Sequence, residues 1–216
     1  MKVSGEIWPA VIPPAAIFLA CVLMLFFCRP KNIFAAWNFY AALIALILCL
    51  LTARFFRDPE INVEEDNSFI LSPASGRVLG VETSHDKTVV RIFMSILDYH
   101  IQRAPCSGRI KEINYISGKF SNAASGAAHT ENERNKVLFE TAGGKSVMVT
   151  QIAGSVARRI LCWKKEGDSV KQGEKTGMIK FGSQVDCEFP ETCEVLVKAG
   201  DKVNCAQTKL AKWQSE

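Results

Sequence analysis

A mainly β barrel or sandwich domain, preceded by an apolar helical hairpin, is the architecture this sequence predicts. Two features carry the prediction: a pair of long uncharged apolar runs near the start, and short β-type segments separated by glycine-centred turns after Phe69. The average composition, 48% hydrophobic and 22% charged, conceals the division. Residues 10–28 hold 17 apolar residues and two prolines, and residues 33–53 hold 19 apolar residues out of 21. With residues 10–53 set aside, about 39% of the remaining positions are apolar, below the usual globular range. Charge divides at the same place. Residues 1–57 carry five Lys/Arg and one Glu, the whole net charge of +4, and residues 58–216 are neutral. A neutral domain lacks the positive excess that nucleic-acid binding requires, so no nucleic-acid partner is expected.

The two apolar runs are each close to the ~20 residues an α-helix needs to cross a bilayer core, and only Arg29-Pro30-Lys31-Asn32 separates them. They predict a transmembrane hairpin over residues 1–57, or a re-entrant one at Pro13-Pro14. A cleaved signal fits poorly, because the first run is long and leads straight into the second. The expected location is the cell membrane, with residues 58–216 as a β-rich domain on the cytoplasmic side. The basic residues are nearly balanced between the short loop and the flanks, so they orient the hairpin weakly.

In the polar part, Arg77–Val81, Thr88–Met94, Val137–Glu140, Val147–Ile152, Arg158–Trp163 and Cys193–Lys198 read as strands. Glu166-Gly167-Asp168-Ser169-Val170-Lys171 recurs as Ala199-Gly200-Asp201-Lys202-Val203-Asn204, with Gly-Asp as the turn and Val as the first inward position. A Gly-Asp-x-Val-x-x-Gly stretch, Gly167 to Gly173, predicts hairpins like those of lipoyl carriers. Eight cysteines and three histidines show neither a C-x-x-C pair nor zinc-ligand spacing, so no metal is expected and the cysteines read as reduced thiols.

No phosphate loop, H-E-x-x-H helix or G-x-S-x-G elbow is present. Three stretches remain: Leu71–Val78, Met94–Gly108, and Lys180-Phe181-Gly182-Ser183-Gln184-Val185-Asp186. In that order, together with Phe55–Pro59, Glu131–Asn135 and Gln151–Gly154, they resemble the short form of phosphatidylserine decarboxylase, and the resemblance runs through nearly the whole chain. It implies a proenzyme that cuts itself between Gly182 and Ser183, giving a β chain (1–182) and an α chain (183–216) held as a heterodimer, with further oligomerisation left open. It implies that Ser183 becomes a covalent pyruvoyl group, the cofactor. The pyruvoyl ketone would take the amine of phosphatidylserine as a Schiff base and accept electrons as CO₂ leaves, giving phosphatidylethanolamine. His100 matches the histidine of the family's Asp-x-His motif and is the expected proton-transfer residue. Arg103 stands where longer members carry a second histidine.

One position departs from the family. Ser75 replaces the aspartate of Ser-Pro-Ala-Asp-Gly, which is thought to orient the histidine during self-cleavage. An uncleaved relative that binds lipid without catalysis is therefore a competing reading, and Asp98 is a substitute carboxylate. A carrier modified on Lys180 is a third reading, weakened because Lys180 follows the glycine-rich stretch instead of sitting at its tip.

Overall fold

The computed structural model describes residues 2–3, 8–27, 33–121, 128–155, 159–180 and 183–214. The chain divides into two compact units, Met1–Glu60 and Ile61–Glu216.

The first unit contains β1 (Lys2–Val3), α1 (Trp8–Phe27), α2 (Ile33–Phe55) and β2 (Arg57–Asp58), with β1 and β2 paired antiparallel. α1 and α2 pack along each other as a hairpin. The packed stripe of α2 is Asn38, Ala41, Ala42, Ala45, Cys49 and Thr52, spaced at helical period, and small residues there let the helix axes approach. The opposite face exposes Trp37, Phe39, Ile44, Ile47 and Leu51. α1 runs through Pro13 and Pro14, whose missing N–H groups remove two bonds from its ladder. Among the described residues, Trp37–Phe55 is the one stretch long and apolar enough to cross a membrane, and Ala10–Met24 is a shorter apolar one.

The second unit is mainly β. Its elements are β3 (Phe69–Leu71), β4 (Gly76–Ser84), β5 (Lys87–Met94), β6 (Ile101–Arg103), β7 (Gly108–Ile116), the short helix α3 (Ala128–Glu131), β8 (Arg134–Glu140) and β9 (Ser146–Ala153). They continue through β10 (Arg159–Cys162), β11 (Ser169–Val170), β12 (Lys175–Lys180), β13 (Ser183–Pro190), β14 (Glu194–Val195), β15 (Lys202–Val203) and β16 (Lys209–Lys212). Eight strands form one antiparallel sheet in the order β11-β7-β8-β9-β13-β5-β4-β15; β10-β12-β6 and β14-β16-β3 form two smaller sheets. Alternation sets the core face. Thr88, Val90, Ile92 and Met94 of β5 are buried, as are Asn135, Val137 and Phe139 of β8. β13, at the centre of the large sheet, is buried on both faces over Ser183–Cys187.

The Gly-Asp repeat is half of a larger internal duplication. Residues 71–78 with 199–206 reproduce residues 103–110 with 166–173. Leu71 N donates to Pro105 O, and reciprocally Arg103 N donates to Pro73 O. Val203 lies opposite Gly76, and Val170 lies opposite Gly108. Arg77 donates to Gly200 O at 2.8 Å and Arg109 to Gly167 O at 3.0 Å. The turn glycines sit at φ +91° (Gly200) and +89° (Gly167), a region costly for residues with a Cβ. Asp201 and Asp168 each close their turn by accepting the N–H three residues back. The strands on either side of Gly173 do not pair with each other: β11 pairs with β7, and β12 with β10 and β6. The expected carrier-like stretch is therefore one arm of two crossed loops.

Candidate active site

Six strand ends meet at one end of the β unit. Register places Ser183, the first residue of β13, opposite both Met94 at the end of β5 and Ala153 at the end of β9. Arg159 of β10 lies opposite Lys180 at the end of β12, and Ile101 of β6 opposite Met178. Asn132 ties the segment after β7 to the same end, donating to Ala153 O at 2.7 Å and Ser121 O at 2.8 Å.

Ser183 has the inward parity of Val185 and Cys187 and is fully buried. Its Oγ donates to the Met94 thioether at 3.5 Å, a weak acceptor that leaves the oxygen's lone pairs uncommitted to it. Gly182, the other half of the expected scissile dyad, lies outside the described residues. Ser155, in the other Gly-Ser dyad of this region, is exposed.

His100 is also fully buried. Its Nδ1 lies 3.0 Å from the carbonyl oxygen of Asp98. A carbonyl only accepts, so Nδ1 carries the hydrogen, and in the neutral ring Nε2 is the basic nitrogen. The Asp98 carboxylate is used elsewhere: its Oδ2 accepts from the Ser95 N–H at 2.9 Å and the Ser95 hydroxyl at 2.8 Å, closing the turn between β5 and β6.

A chain of buried amides connects the two residues. Asn135 Nδ2 donates to Gln151 Oε1 at 2.9 Å, and Gln151 Nε2 donates to Gln102 Oε1 at 2.9 Å. Gln102 Nε2 then reaches His100 O at 2.8 Å and Met94 Sδ at 3.6 Å, the sulfur that Ser183 also contacts. Gln102 thus holds the His100 backbone carbonyl and shares the Met94 sulfur with Ser183. Asn135, Gln102 and Gln151 lie within stretches that carry the family resemblance, but no motif in the sequence assigns these three residues a role. The available signal was parity: Gln151 alternates with Val149 and Ala153, and Asn135 with Val137 and Phe139, so both amides occupy inward positions.

Ser75 is buried as well. Its Oγ accepts the backbone N–H of Cys205 at 2.9 Å. Burial pushes the thiols of Cys205 and Cys106 up to about 12, which keeps them protonated and unreactive; for Cys205 the nearby Arg103 guanidinium acts in the opposite direction. On the opposite face of β13, burial raises the Asp186 carboxyl to about 6, against the lowering effects of a Gln184 hydrogen bond, Arg91 and His129. His85 sits in the tight turn between β4 and β5 at φ +43°, at the opposite end of β5 from Met94. Among the described residues no group of three His, Cys, Asp or Glu side chains is placed to hold a metal ion.

The mainly β unit thus buries a serine hydroxyl at a strand start and a histidine at the same end, the first on the Met94 sulfur that Gln102 also meets and the second bonded to Gln102 through its backbone carbonyl. The model of the phosphatidylserine decarboxylase family matches residues 48–211. Phosphatidylserine decarboxylase proenzymes of Burkholderia vietnamiensis and Paraburkholderia xenovorans are each 38% identical to the chain, covering 97% of it and 95% and 96% of their own lengths. That of Syntrophus aciditrophicus is 39% identical over 178 residues, 79% of this chain and 84% of its own length. The chain belongs to the phosphatidylserine decarboxylase family, a family of self-processing carboxy-lyases.

Proposed function

We propose that this chain is a membrane-anchored proenzyme that cuts itself between Gly182 and Ser183 and then decarboxylates phosphatidylserine to phosphatidylethanolamine. The observation that carries the reading is the burial of Ser183 at the start of β13, with its hydroxyl on the Met94 sulfur that Gln102 also meets and with the buried His100 bonded to Gln102 through its backbone carbonyl.

In the cleavage, Ser183 Oγ attacks the Gly182 carbonyl and its proton passes to a base, moving the acyl group from nitrogen to oxygen. The basic Nε2 of His100 is suited to that proton. Loss of the Ser183 Cα proton then expels the Gly182 carboxylate. One water converts the resulting dehydroalanine to the pyruvoyl group and ammonia. A serine already seated in the dry interior keeps bulk water from competing for the ester.

The residues present fit a pyruvoyl group at position 183, which would supply the electrophile and electron sink for loss of CO₂ from an α-amino acid headgroup. His100 would hold and return the proton that replaces the carboxylate. Met94, Ala153 and the buried amides would form a low-dielectric wall that favours release of neutral CO₂. Cleavage leaves the 183–216 chain contributing β13 to β16, with β13 hydrogen-bonded on both edges, so the two chains would stay together as a heterodimer. Residues 1–57 would anchor the enzyme in the cell membrane, with residues 58–216 on the cytoplasmic side.

Intact-mass analysis under denaturing conditions tests the site. The expected small chain is residues 183–216, blocked at its N-terminus, and Ser183→Ala abolishes it while Ser155→Ala does not. A small chain beginning at Ser155 overturns the assignment. A folded chain that stays whole, with Ser75 at the departing position, supports the uncleaved lipid-binding reading.

A further inference from the structure

The turn that joins the two site strands carries two apolar side chains aimed at solvent. Ile96 and Leu97, at its tip, are 59% and 52% exposed. They lie between Met94, which touches Ser183, and His100. The turn is internally braced. Asp98 N donates to Ser95 O at 2.9 Å, the Asp98 carboxylate accepts both Ser95 donors, and Leu97 N meets Ser95 Oγ at 3.3 Å. Four bonds within four residues brace the tip on which Ile96 and Leu97 are exposed.

Other features at this end share that character. Phe120, 43% exposed, lies on the segment that Asn132 pins to the end of β9. Arg159 is exposed at the start of β10, directly across from Lys180 at the end of β12. Single exposed hydrophobics are ordinary on soluble proteins. Two adjacent ones on a braced tip next in the chain to Met94 and His100, with a third and two cations at the same end of the β unit, combine apolar and cationic surface there. That pattern suits the boundary between acyl chains and anionic headgroups.

We propose that the rim formed by Ile96, Leu97 and Phe120, with Arg159 and Lys180, is a docking surface for an anionic phospholipid bilayer. Resting on the reading that the substrate is a phospholipid, the rim explains how a fully buried Ser183 meets a headgroup without extracting the lipid. The apolar tip enters the acyl boundary, the cations rest on the phosphates, and the six strand ends then face the headgroup layer.

Two measurements on the full chain in vesicles of phosphatidylcholine and phosphatidylglycerol test it. First, Leu97→Trp is compared with the unsubstituted chain in vesicles whose acyl chains are brominated. Fluorescence quenched beyond that of the native tryptophans is expected; no added quenching overturns the proposal. Second, Ile96→Ser/Leu97→Ser is assayed on phosphatidylserine in vesicles and on dispersed short-chain phosphatidylserine. The ratio of kcat/KM on vesicles to kcat/KM on dispersed substrate should fall by about tenfold or more. An unchanged ratio overturns the rim. Added quenching in a chain that decarboxylates neither substrate keeps the rim and removes the decarboxylase reading instead.

Discussion

Ser75 Oγ accepts the backbone N–H of Cys205 at 2.9 Å, and Ser107 Oγ accepts that of Gln172 at the same distance. The two bonds are equivalents under the internal duplication. Ser75, the position at which this chain departs from the family, is therefore a latch between crossed loops, as Ser107 is in the other half. A carboxylate there could accept the same N–H, so the departure from aspartate is compatible with the latch.

Removing either latch should cost stability before it costs chemistry. Ser75→Ala and Ser107→Ala each leave a buried N–H without its acceptor, and each should lower unfolding free energy by about 1–3 kcal/mol. Denaturant titration measures this. If Ser75 serves only as a latch, Ser75→Ala should mature with the unsubstituted half-time below its melting range, and Ser75→Asp should bring no gain. A faster Ser75→Asp would restore the sequence-based expectation that charge at this position assists His100.

His100→Ala should slow cleavage, decarboxylation or both by about 10²–10⁴-fold if its imidazole moves protons at the site. Circular dichroism and melting curves separate that loss from misfolding. A variant that keeps both rates would make His100 a packing residue.

Gln151 is the middle of the amide chain, and Gln151→Leu would strand both the Asn135 donor and the Gln102 acceptor. Two unsatisfied buried groups should cost about 2–6 kcal/mol together. Asn135→Leu orphans only one partner and should cost less. Equal losses in the two variants would show that Gln102 does not depend on Gln151.

Asp186 has a folded carboxyl raised to about 6 from the ordinary value of 3.8. Between those values the folded chain binds more protons than the unfolded one, so this group's contribution to stability declines as pH rises through the window and stays low above it. Asp186→Asn removes the dependence. Subtracting the variant's stability profile from the parent's should give a difference that falls from pH 4 to pH 6 and is flat beyond, by about 2–3 kcal/mol at most. A difference that rises with pH would mean that Arg91 outweighs burial at this site.

Much of this protein follows from local sequence because its local patterns are strong. Two runs of apolar residues determine α1 and α2. Two-residue alternation bounded by glycine determines β5, β8 and β9. The ordered motifs around His100 and Ser183 identify the family without any coordinates. What tertiary structure decided lies between residues distant in the chain. Ser75 and Cys205 are 130 residues apart, and Gln102 and Gln151 are 49 apart. A serine or glutamine has the same appearance in sequence whether it faces water or a buried N–H, because hydrogen bonding depends on what folding brings opposite it. For the same reason half of the duplication was hidden: Gly173 and Ala206 share a left-handed backbone at φ +79° and +56°, although only one is glycine. The crossed loops impose that conformation, and the sequence records it only where the residue complies.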